Sequence, residues 1–231
     1  MNRILTLAFL LLLAIPAISQ NIQWNNQEFE AKNVKASLVQ LNGEAVLKLE
    51  RDLNALPFDV KRLEQTVDEP TYLKLKNISL ENGIIEVKVL SRIQTPSPFE
   101  AARGFIGVAF RISEQDSAFE CIYLRPTNGR SDNQLRRNRT VQYYSYPKYK
   151  FETLRRESPG MYETSAPISV DEWITMRIEI EGARASLFIN DAKYSTLIVD
   201  KLKGQTTKGL IGLWVDVGTE GYFKDLKITP Q

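Results

Sequence analysis

The clearest structural signal in the chain is the stretch ITMRIEIE, residues Ile174–Glu181. Its isoleucines and its methionine occupy every second position, and threonine, arginine and two glutamates fill the positions between them. Successive side chains of a β-strand point to opposite faces, whereas a helix needs apolar residues three and four positions apart. The stretch therefore predicts a β-strand with one buried and one exposed face.

The same alternation continues on both sides of this stretch. It is clear in residues 85–89 and 106–112, and weaker in residues 45–50, 119–125, 183–189, 210–215 and 222–228. Residue pairs typical of tight turns lie between several of these runs: Asn42-Gly43, Glu181-Gly182 and Asn190-Asp191. Mostly antiparallel strands joined by short turns are expected.

The predicted architecture follows from the need to bury one face of each strand. Two antiparallel sheets can bury those faces against each other, which predicts an all-β, two-sheet sandwich. A short helix is expected only within residues 53–66, where Pro57 interrupts the helical pattern. Residues 20–231 contain no internal repeat or linker, and a β-sandwich of this length is commonly a single domain.

The first 19 residues have the features of a cleaved signal peptide. Arg3 precedes an apolar run of about a dozen residues, and small residues lead to Ser19. A membrane span would need about 18 apolar residues or more, so no span is expected. A lipid anchor would need a cysteine just after the cut, but the only cysteine is Cys121. The mature protein is expected to begin at Gln20 and to be secreted, as a periplasmic or extracellular protein.

Composition excludes several kinds of chemistry. The chain has no histidine and one cysteine, which excludes Ser-His-Asp and Cys-His catalysis and leaves too few ligands for a zinc site. Cys121 is expected to be a small buried hydrophobe, since it has no disulfide partner. No metal site and no cofactor are expected, and a structural calcium ion on a loop is left open. Any catalysis would use the remaining polar side chains.

Several of these strands resemble a known superfamily. Residues 173–190, 209–215 and 218–228, with 104–110 and 119–126, are similar to strands of concanavalin A-like lectin/glucanase jelly rolls, which include laminin G-like domains. The chain looks most like the secreted branch of 3-keto-disaccharide hydrolases and family 16 glycoside hydrolases. The resemblance implies a jelly-roll fold and a carbohydrate-related function. It does not choose an activity, because this fold hosts lectins, hydrolases, lyases and adhesion modules.

The catalytic pattern of the glucanases is absent. Those enzymes would show Glu-x-Asp-x-Glu or Glu-x-Asp-x-x-Glu on a strand, and the nearest match, in residues 114–120, is one residue too long. An enzyme of the glycoside hydrolase type would here work without histidine or zinc. Its candidate catalytic carboxylates are Asp132, Glu152 and Glu163.

A basic segment, residues 125–156, is the strongest functional signal. It contains nine basic and two acidic residues, a net charge of +7, whereas the rest of the mature chain sums to about −6. Arginine binds carboxylates and sulfates, tyrosine can stack on sugar rings, and amides bind hydroxyl groups. The candidate ligand-binding residues are Tyr123, Arg125, Asn128, Arg130, Gln134, Arg136, Arg137, Asn138, Gln142, Tyr144, Tyr146 and Tyr149.

Period two places Tyr123 and Arg125 on the side of their strand opposite to Ile122 and Leu124. Small residues in the neighbouring run, such as Gly107, would leave space beside them and suggest a groove. In the alternative interpretation, Arg125 pairs with a carboxylate, Tyr123 fills a packing layer, and the basic segment is a solvated, salt-bridged loop.

Three functions remain open. The first is a secreted protein that binds or acts on a poly- or oligosaccharide, with a groove suited to an acidic glycan. The second is a glycosidase or 3-keto-glycoside-cleaving hydrolase that uses carboxylates. The third is a non-catalytic adhesion or assembly module. Nucleic acid is not expected as a partner of an exported protein without a nucleic-acid motif, and the sequence leaves the oligomeric state open.

Overall fold

The computed structural model describes residues 20–231, and the predicted signal peptide, residues 1–19, lies outside them. The described part of the chain is mainly β-structure. Its strands are β1 Asn21–Trp24, β2 Gln27–Lys32, β3 Val34–Leu41, β4 Glu44–Arg51, β5 Tyr72–Leu80, β6 Gly83–Ile93, β7 Ile106–Ile112, β8 Phe119–Leu124, β9 Val141–Tyr146, β10 Glu163–Thr164, β11 Ile174–Glu181, β12 Arg184–Ile189, β13 Leu197–Val199, β14 Gly209–Val215 and β15 Thr219–Pro230. Its α-helices are α1 Leu63–Thr66, α2 Pro126–Gly129, α3 Gln134–Arg137 and α4 Phe151–Glu157.

The strands form two antiparallel sheets. The eight-stranded sheet has the order β1-β2-β5-β14-β7-β8-β9-β10, and the seven-stranded sheet has the order β13-β12-β11-β6-β15-β4-β3. Apolar residues of both sheets form one continuous core. The predicted jelly-roll sandwich is therefore confirmed.

The stretch Ile174–Glu181 forms β11, in the middle of the seven-stranded sheet. Ile178 lies opposite Ile85 of β6 and Leu187 of β12, and all three side chains are buried. Glu179 alternates with Ile178 and is only half-buried. The predicted register is confirmed.

Two of the predicted turns are tight hairpins. Asn42 and Gly43 both have positive φ angles and join β3 to β4, which is the geometry that favours Asn-Gly. The turn between β11 and β12 lies one residue later than predicted. Glu181 still pairs with Arg184, so the turn itself is formed by residues 182–183.

The eight-stranded sheet has a core face and an outer face. Ile106 and Val215 approach Gly221 of the opposite sheet and lie on the core face. Tyr123 and Trp214, which alternate with core residues, lie on the face that points away from the seven-stranded sheet, called the outer face here. The strand orientation predicted for Tyr123 agrees with this placement.

The chain covers most of the outer face. The segment between β4 and β5 contains the predicted helical region, reduced to a 3-10 turn, Val60–Arg62, and the one-turn helix α1. Farther along it, the Glu69 carbonyl accepts a hydrogen bond from Trp214 Nε1 at 3.0 Å, and the Glu69 carboxylate pairs with Lys150. The outer face is consequently an interior surface.

The basic segment, residues 125–156, is not a continuous loop. It contains β9 and the three short helices α2, α3 and α4. Both faces of β9 are covered, and its residues 141–145 are buried. Because no face of β9 meets solvent, its sequence lacks the alternation that would have revealed a strand.

Other expectations for the chain concern the membrane and the cysteine. Among residues 20–231, no helix is long and apolar enough to cross a membrane. Cys121 is unpaired and buried, as expected.

Candidate functional site

A cavity of about 220 Å³ remains at the edge of the outer face, where α2, α3 and α4 meet the segments that precede β5 and β7. We call it the arginine cavity, because five arginines line it. It is lined by Leu63, Val67, Asp68, Phe99, Ala101, Arg103, Phe105, Tyr123, Arg125, Asn128, Arg136, Arg139, Phe151, Arg155 and Asp216.

Tyr123 fills the space that was expected to be a groove. It lies opposite Gly107 in the sheet, and a Cβ atom at Gly107 would come within 2.6 Å of the Tyr123 Cβ. The Tyr123 ring packs against Trp214, with ring centroids 4.9 Å apart. Gly107 does leave room beside it, but the rings of Tyr123 and Trp214 occupy that room. The predicted groove is therefore absent at this position, and the arginine cavity lies farther along the sheet.

Arg125 lines the arginine cavity and is buried. Its Nη1 donates to the Arg139 carbonyl at 3.2 Å and to Gln142 Oε1 at 3.3 Å, and its Nη2 donates to the Tyr123 hydroxyl. Its guanidinium also lies over the rings of Tyr123 and Phe151, at 4.8 and 5.8 Å from their centroids. These contacts fix the guanidinium but do not neutralise its charge.

Three arginines of the cavity have no carboxylate partner. Within residues 20–231, Arg103, Arg125 and Arg136 form no ion pair, although many other arginines of the chain do. Burial lowers the pKa of Arg103, and the nearby charges of Arg136 and Arg125 lower it further. Burial likewise lowers the pKa of Arg125. The three arginines therefore place mutually repelling positive charge around one small cavity.

The other two arginines share one carboxylate. Arg139 Nε lies 3.3 Å from Glu163 Oε1, and Arg155 Nε donates to Glu163 Oε2 at 2.8 Å. Glu163 therefore lies behind these two arginines as their shared counter-ion and is not free for other chemistry.

Asp68 is the carboxylate that lies in the cavity without an ion-pair partner among residues 20–231. Its Oδ2 accepts the Phe151 N–H at 2.9 Å, and its own N–H donates to Asp216 Oδ2 at 3.0 Å. Asp216 in turn is held by a buried ion pair with Arg51, with 2.7 Å between Nη1 and Oδ1. Burial is the main cause that raises the pKa of Asp68 to about 6.

Four of the twelve predicted ligand-binding residues line the arginine cavity: Tyr123, Arg125, Asn128 and Arg136. Asn128 is occupied by structural hydrogen bonds, since its Oδ1 accepts from Arg136 and its Nδ2 donates to the Arg139 carbonyl. Asn128 therefore holds Arg136 and the Arg139 backbone in place, and its amide is already engaged in hydrogen bonds within the protein.

The structure does not bring the other eight residues into the cavity. Arg130 pairs with Glu172, and Gln134, Arg137 and Asn138 are exposed on or beside α3. Gln142 is buried and binds the carbonyls of Tyr143 and Tyr162.

The three remaining tyrosines lie elsewhere on or near β9. Tyr144 is completely buried between Phe119 and Trp214, so it presents no face to a ligand. Tyr146 stacks on Phe119, and Tyr149 follows the end of β9.

The predicted catalytic carboxylates also lie outside the cavity wall. Asp132 is exposed, and Glu163 is paired as described above. Glu152 lies in a separate surface depression, where hydrogen bonding to Glu64 raises its pKa. Among residues 20–231, no group of three or more His, Cys, Asp or Glu residues is arranged to hold a metal ion.

Comparison with known protein families adds to this geometry. Residues 85–229 match the model of the 3-keto-alpha-glucoside-1,2-lyase-like domain. The chain belongs to this family. The matched region begins within β6, ends within β15 and contains the basic segment, whereas Asp68 lies before it.

One solved structure, a carbohydrate binding module, shows the same fold, and two others have lower TM-scores. The carbohydrate binding module CBM66 from Bacillus subtilis is 11% identical, covers 86% of this chain and 96% of its own, and superimposes with a TM-score of 0.52. A Parabacteroides distasonis protein provisionally assigned as a glycosyl hydrolase is 13% identical over 86% of this chain and 94% of its own, with a TM-score of 0.46. The Caenorhabditis elegans galectin LEC-6 is 11% identical over 66% of this chain and 89% of its own, with a TM-score of 0.38. No curated protein matches the chain in sequence.

This member of the family therefore has the jelly-roll fold that carbohydrate-binding and glycosidase-like proteins share.

Proposed function

We propose that this family member binds an acidic saccharide in the arginine cavity and that the sugar's carboxylate or sulfate lies against Arg103, Arg125 and Arg136. The observation that supports this most is the absence of an ion pair, within the described chain, at three of the cavity's arginines, although the Asp68 carboxylate lines the same cavity. Three arginines line one cavity, and none of them forms an ion pair within residues 20–231.

The energetics favour an anionic ligand. A buried guanidinium is costly unless a charge or hydrogen-bond acceptors compensate it. The hydrogen-bond acceptors of Arg125 are all neutral, and the Asp68 and Glu163 carboxylates act on its charge without forming an ion pair with it. A carboxylate or sulfate would complete the site, because a guanidinium binds such groups through two parallel hydrogen bonds.

The rest of the cavity wall suits a sugar ring. Phe99, Phe105 and Phe151 supply apolar surface beside the arginines, so one wall can pack against a ring face while the other binds polar groups. A volume of about 220 Å³ is below the roughly 300–1,000 Å³ of drug-sized sites, so we infer that the cavity holds one sugar unit. The family and the likeness of the fold to a carbohydrate binding module agree with a saccharide ligand.

The proposed place of action is outside the cytoplasm. The signal-peptide features of residues 1–19 support export to the periplasm or the exterior.

Calorimetric titration with glucuronate and glucose tests the proposal, because these sugars differ only at C6, where one carries a carboxylate. Glucuronate is expected to bind at least about 10-fold more tightly, which corresponds to about 1.4 kcal/mol. Its affinity should fall as salt is added, whereas any glucose binding should not. Equal affinities for the two sugars, with no response to salt, would show that the arginines do not recognise a sugar anion.

A second candidate function is cleavage of 3-keto-glycosides, which the family match over residues 85–229 favours. It is tested by incubating the protein with a 3-keto-glucoside and measuring release of the aglycone. Release that is proportional to the protein concentration is the expected result. A reaction no faster than in buffer would leave binding as the function.

A further inference from the structure

We propose that the arginine cavity is also catalytic, and that Asp68 removes the proton from the carbon beside the carboxylate of a bound, 4-linked uronate. The outcome is an elimination that cleaves the glycosidic bond without water. This proposal rests on the acidic-saccharide function proposed above and adds a reaction and a substrate class to it.

The placement of Asp68 is the first argument. Its side chain lines the cavity and is 2% exposed. One carboxylate oxygen, Oδ2, is held by the Phe151 N–H at 2.9 Å. The other oxygen, Oδ1, accepts no hydrogen bond from the residues of the described chain and is left for a ligand.

The surroundings hold Asp68 in this position. Its backbone has a φ angle of 55°, in the left-handed region that few residues other than glycine, Asn and Asp adopt readily. Its N–H donates a hydrogen bond to Asp216 Oδ2, and Asp216 is itself held by the ion pair with Arg51. These contacts fix the backbone conformation of Asp68. A base that is fixed in advance loses little free energy to reorganisation during the reaction.

Its proton affinity suits a base at neutral pH. Burial raises the pKa of Asp68 to about 6. A general base works best when its pKa lies near the working pH, because it is then both ionised and sufficiently basic.

The arginines can stabilise the negative charge that develops on the substrate carboxylate when the proton leaves. A proton beside a carboxylate is acidic only when the negative charge that develops on the carboxylate is stabilised. Arg103, Arg125 and Arg136 offer positive charge and form no ion pair within residues 20–231, and Asp68 shares the cavity with them. Arg125 is buried, whereas Arg103 is half-buried and Arg136 is exposed, so Arg125 is the charge that is shielded from water. Preorganised charge of that kind is commonly the largest contribution to catalysis.

Tyr123 is placed to protonate the leaving oxygen. Its hydroxyl oxygen accepts a hydrogen bond from Arg125 Nη2, and no residue of the described chain accepts the hydroxyl hydrogen. Burial raises the pKa of Tyr123 well above its usual value, so the hydroxyl is protonated in the resting protein and can donate its proton to the leaving oxygen.

The step is balanced without a co-reactant. The C5–H bond breaks and its proton passes to Asp68 Oδ1, while the electron pair forms a C4=C5 double bond. The C4–O4 bond breaks, and O4 takes the Tyr123 proton. The products are a saccharide with a free hydroxyl group and a 4,5-unsaturated uronate. Transfer of the Asp68 proton to Tyr123 through solvent restores both groups.

The experiment uses trigalacturonate as the substrate and two readouts, calorimetric binding and ultraviolet absorbance of the new double bond conjugated to the carboxylate. Wild-type protein is expected to bind trigalacturonate and to generate the absorbance. Asp68→Asn and Tyr123→Phe should each bind within a few-fold of the wild type and react about 10²- to 10⁴-fold more slowly, which is the usual range for loss of an acid or a base. Asp191→Asn, an exposed aspartate in a turn, is the matched control and should react like the wild type.

The outcomes separate the two proposals. Binding without absorbance would overturn the elimination and leave the acidic-saccharide function standing. Absence of both binding and absorbance with trigalacturonate would overturn the elimination, and absence of glucuronate binding as well would overturn both proposals. Undiminished turnover by Asp68→Asn would show that Asp68 is not the base. A sulfated monosaccharide should bind without reacting, because its sulfate does not acidify a ring C–H bond.

Discussion

Arg125→Lys keeps a positive charge in the arginine cavity but removes the planar fork, so it separates charge from geometry. The guanidinium carries five N–H donors. Three of them bind the Arg139 carbonyl, Gln142 and the Tyr123 hydroxyl. The remaining two, on Nε and Nη2, have no acceptor within residues 20–231 and are available to bind both oxygens of one carboxylate.

The expected loss of affinity follows from these donors. A lysine ammonium can replace the charge but only one of the two parallel hydrogen bonds. A hydrogen bond to a charged group contributes about 1.5–3 kcal/mol, which corresponds to roughly a 10- to 100-fold weaker affinity for glucuronate. Loss of the bonds to neutral acceptors should also lower the free energy of unfolding by about 1–3 kcal/mol.

Calorimetric titration of glucuronate, well below the thermal transition of the variant, measures the effect. Arg184→Lys is the matched control, because Arg184 is exposed on the other sheet and lies 3.7 Å from Asp200. It should leave the affinity unchanged. Unchanged affinity in Arg125→Lys, or an equal loss in Arg184→Lys, would refute the idea that the guanidinium fork recognises the sugar anion.

Four further predictions follow from the sequence and the structure. Ile178→Ala should lower the free energy of unfolding by about 2–5 kcal/mol in denaturant melts, and Glu179→Ala by less than about 0.5 kcal/mol, because only Ile178 is fully buried; equal losses would contradict the register of β11. The raised pKa of Asp68 means that the folded state holds this proton more strongly than the unfolded state, so its contribution to stability is present below pH 3.8 and is lost as the pH rises to about 6. Asp216 disfavours the charged form of Asp68, whereas Arg125 and Lys150 favour it. Because Asp68→Asn removes the ionisable group, it should flatten the dependence of the free energy of unfolding on pH in that window. An unchanged dependence would be evidence against a buried ionisable group at this position. Glucuronate binding should weaken between low and physiological salt, where the Debye length falls to about 8 Å; a salt-independent affinity would contradict this. Intact-mass analysis of secreted protein should give Gln20 as the first residue, and secreted protein that retains Met1 would contradict the predicted cleavage.

The sequence revealed the parts of the fold that border solvent. In β11 one face is buried and the other is half-buried, with Glu181 exposed, so apolar and polar residues alternate and the register could be assigned. In β9 both faces are covered, and the run VQYYSY has aromatic residues on both sides. Such a run favours a ligand-binding loop over a strand, although Tyr144 is in fact completely buried.

The candidate site was only partly predictable for a related reason. The basic segment contributes Arg125, Arg136, Arg139 and Arg155, which are close in sequence and could be recognised as a cluster of charge. Arg103 and Asp68 come from two other segments, and nothing in their local sequence marks them. They reach the cavity because the segments before β5 and β7 fold over the same end of the sheet, which a pattern of neighbouring residues cannot indicate.

The crystal structure of the protein with bound glucuronate would test the central claim most directly. We predict that the sugar lies in the arginine cavity, with its carboxylate oxygens within about 3 Å of nitrogen atoms of Arg125 and of Arg103 or Arg136. A sugar bound only at the exposed side of α3, or a carboxylate that points away from all three arginines, would contradict the proposed function.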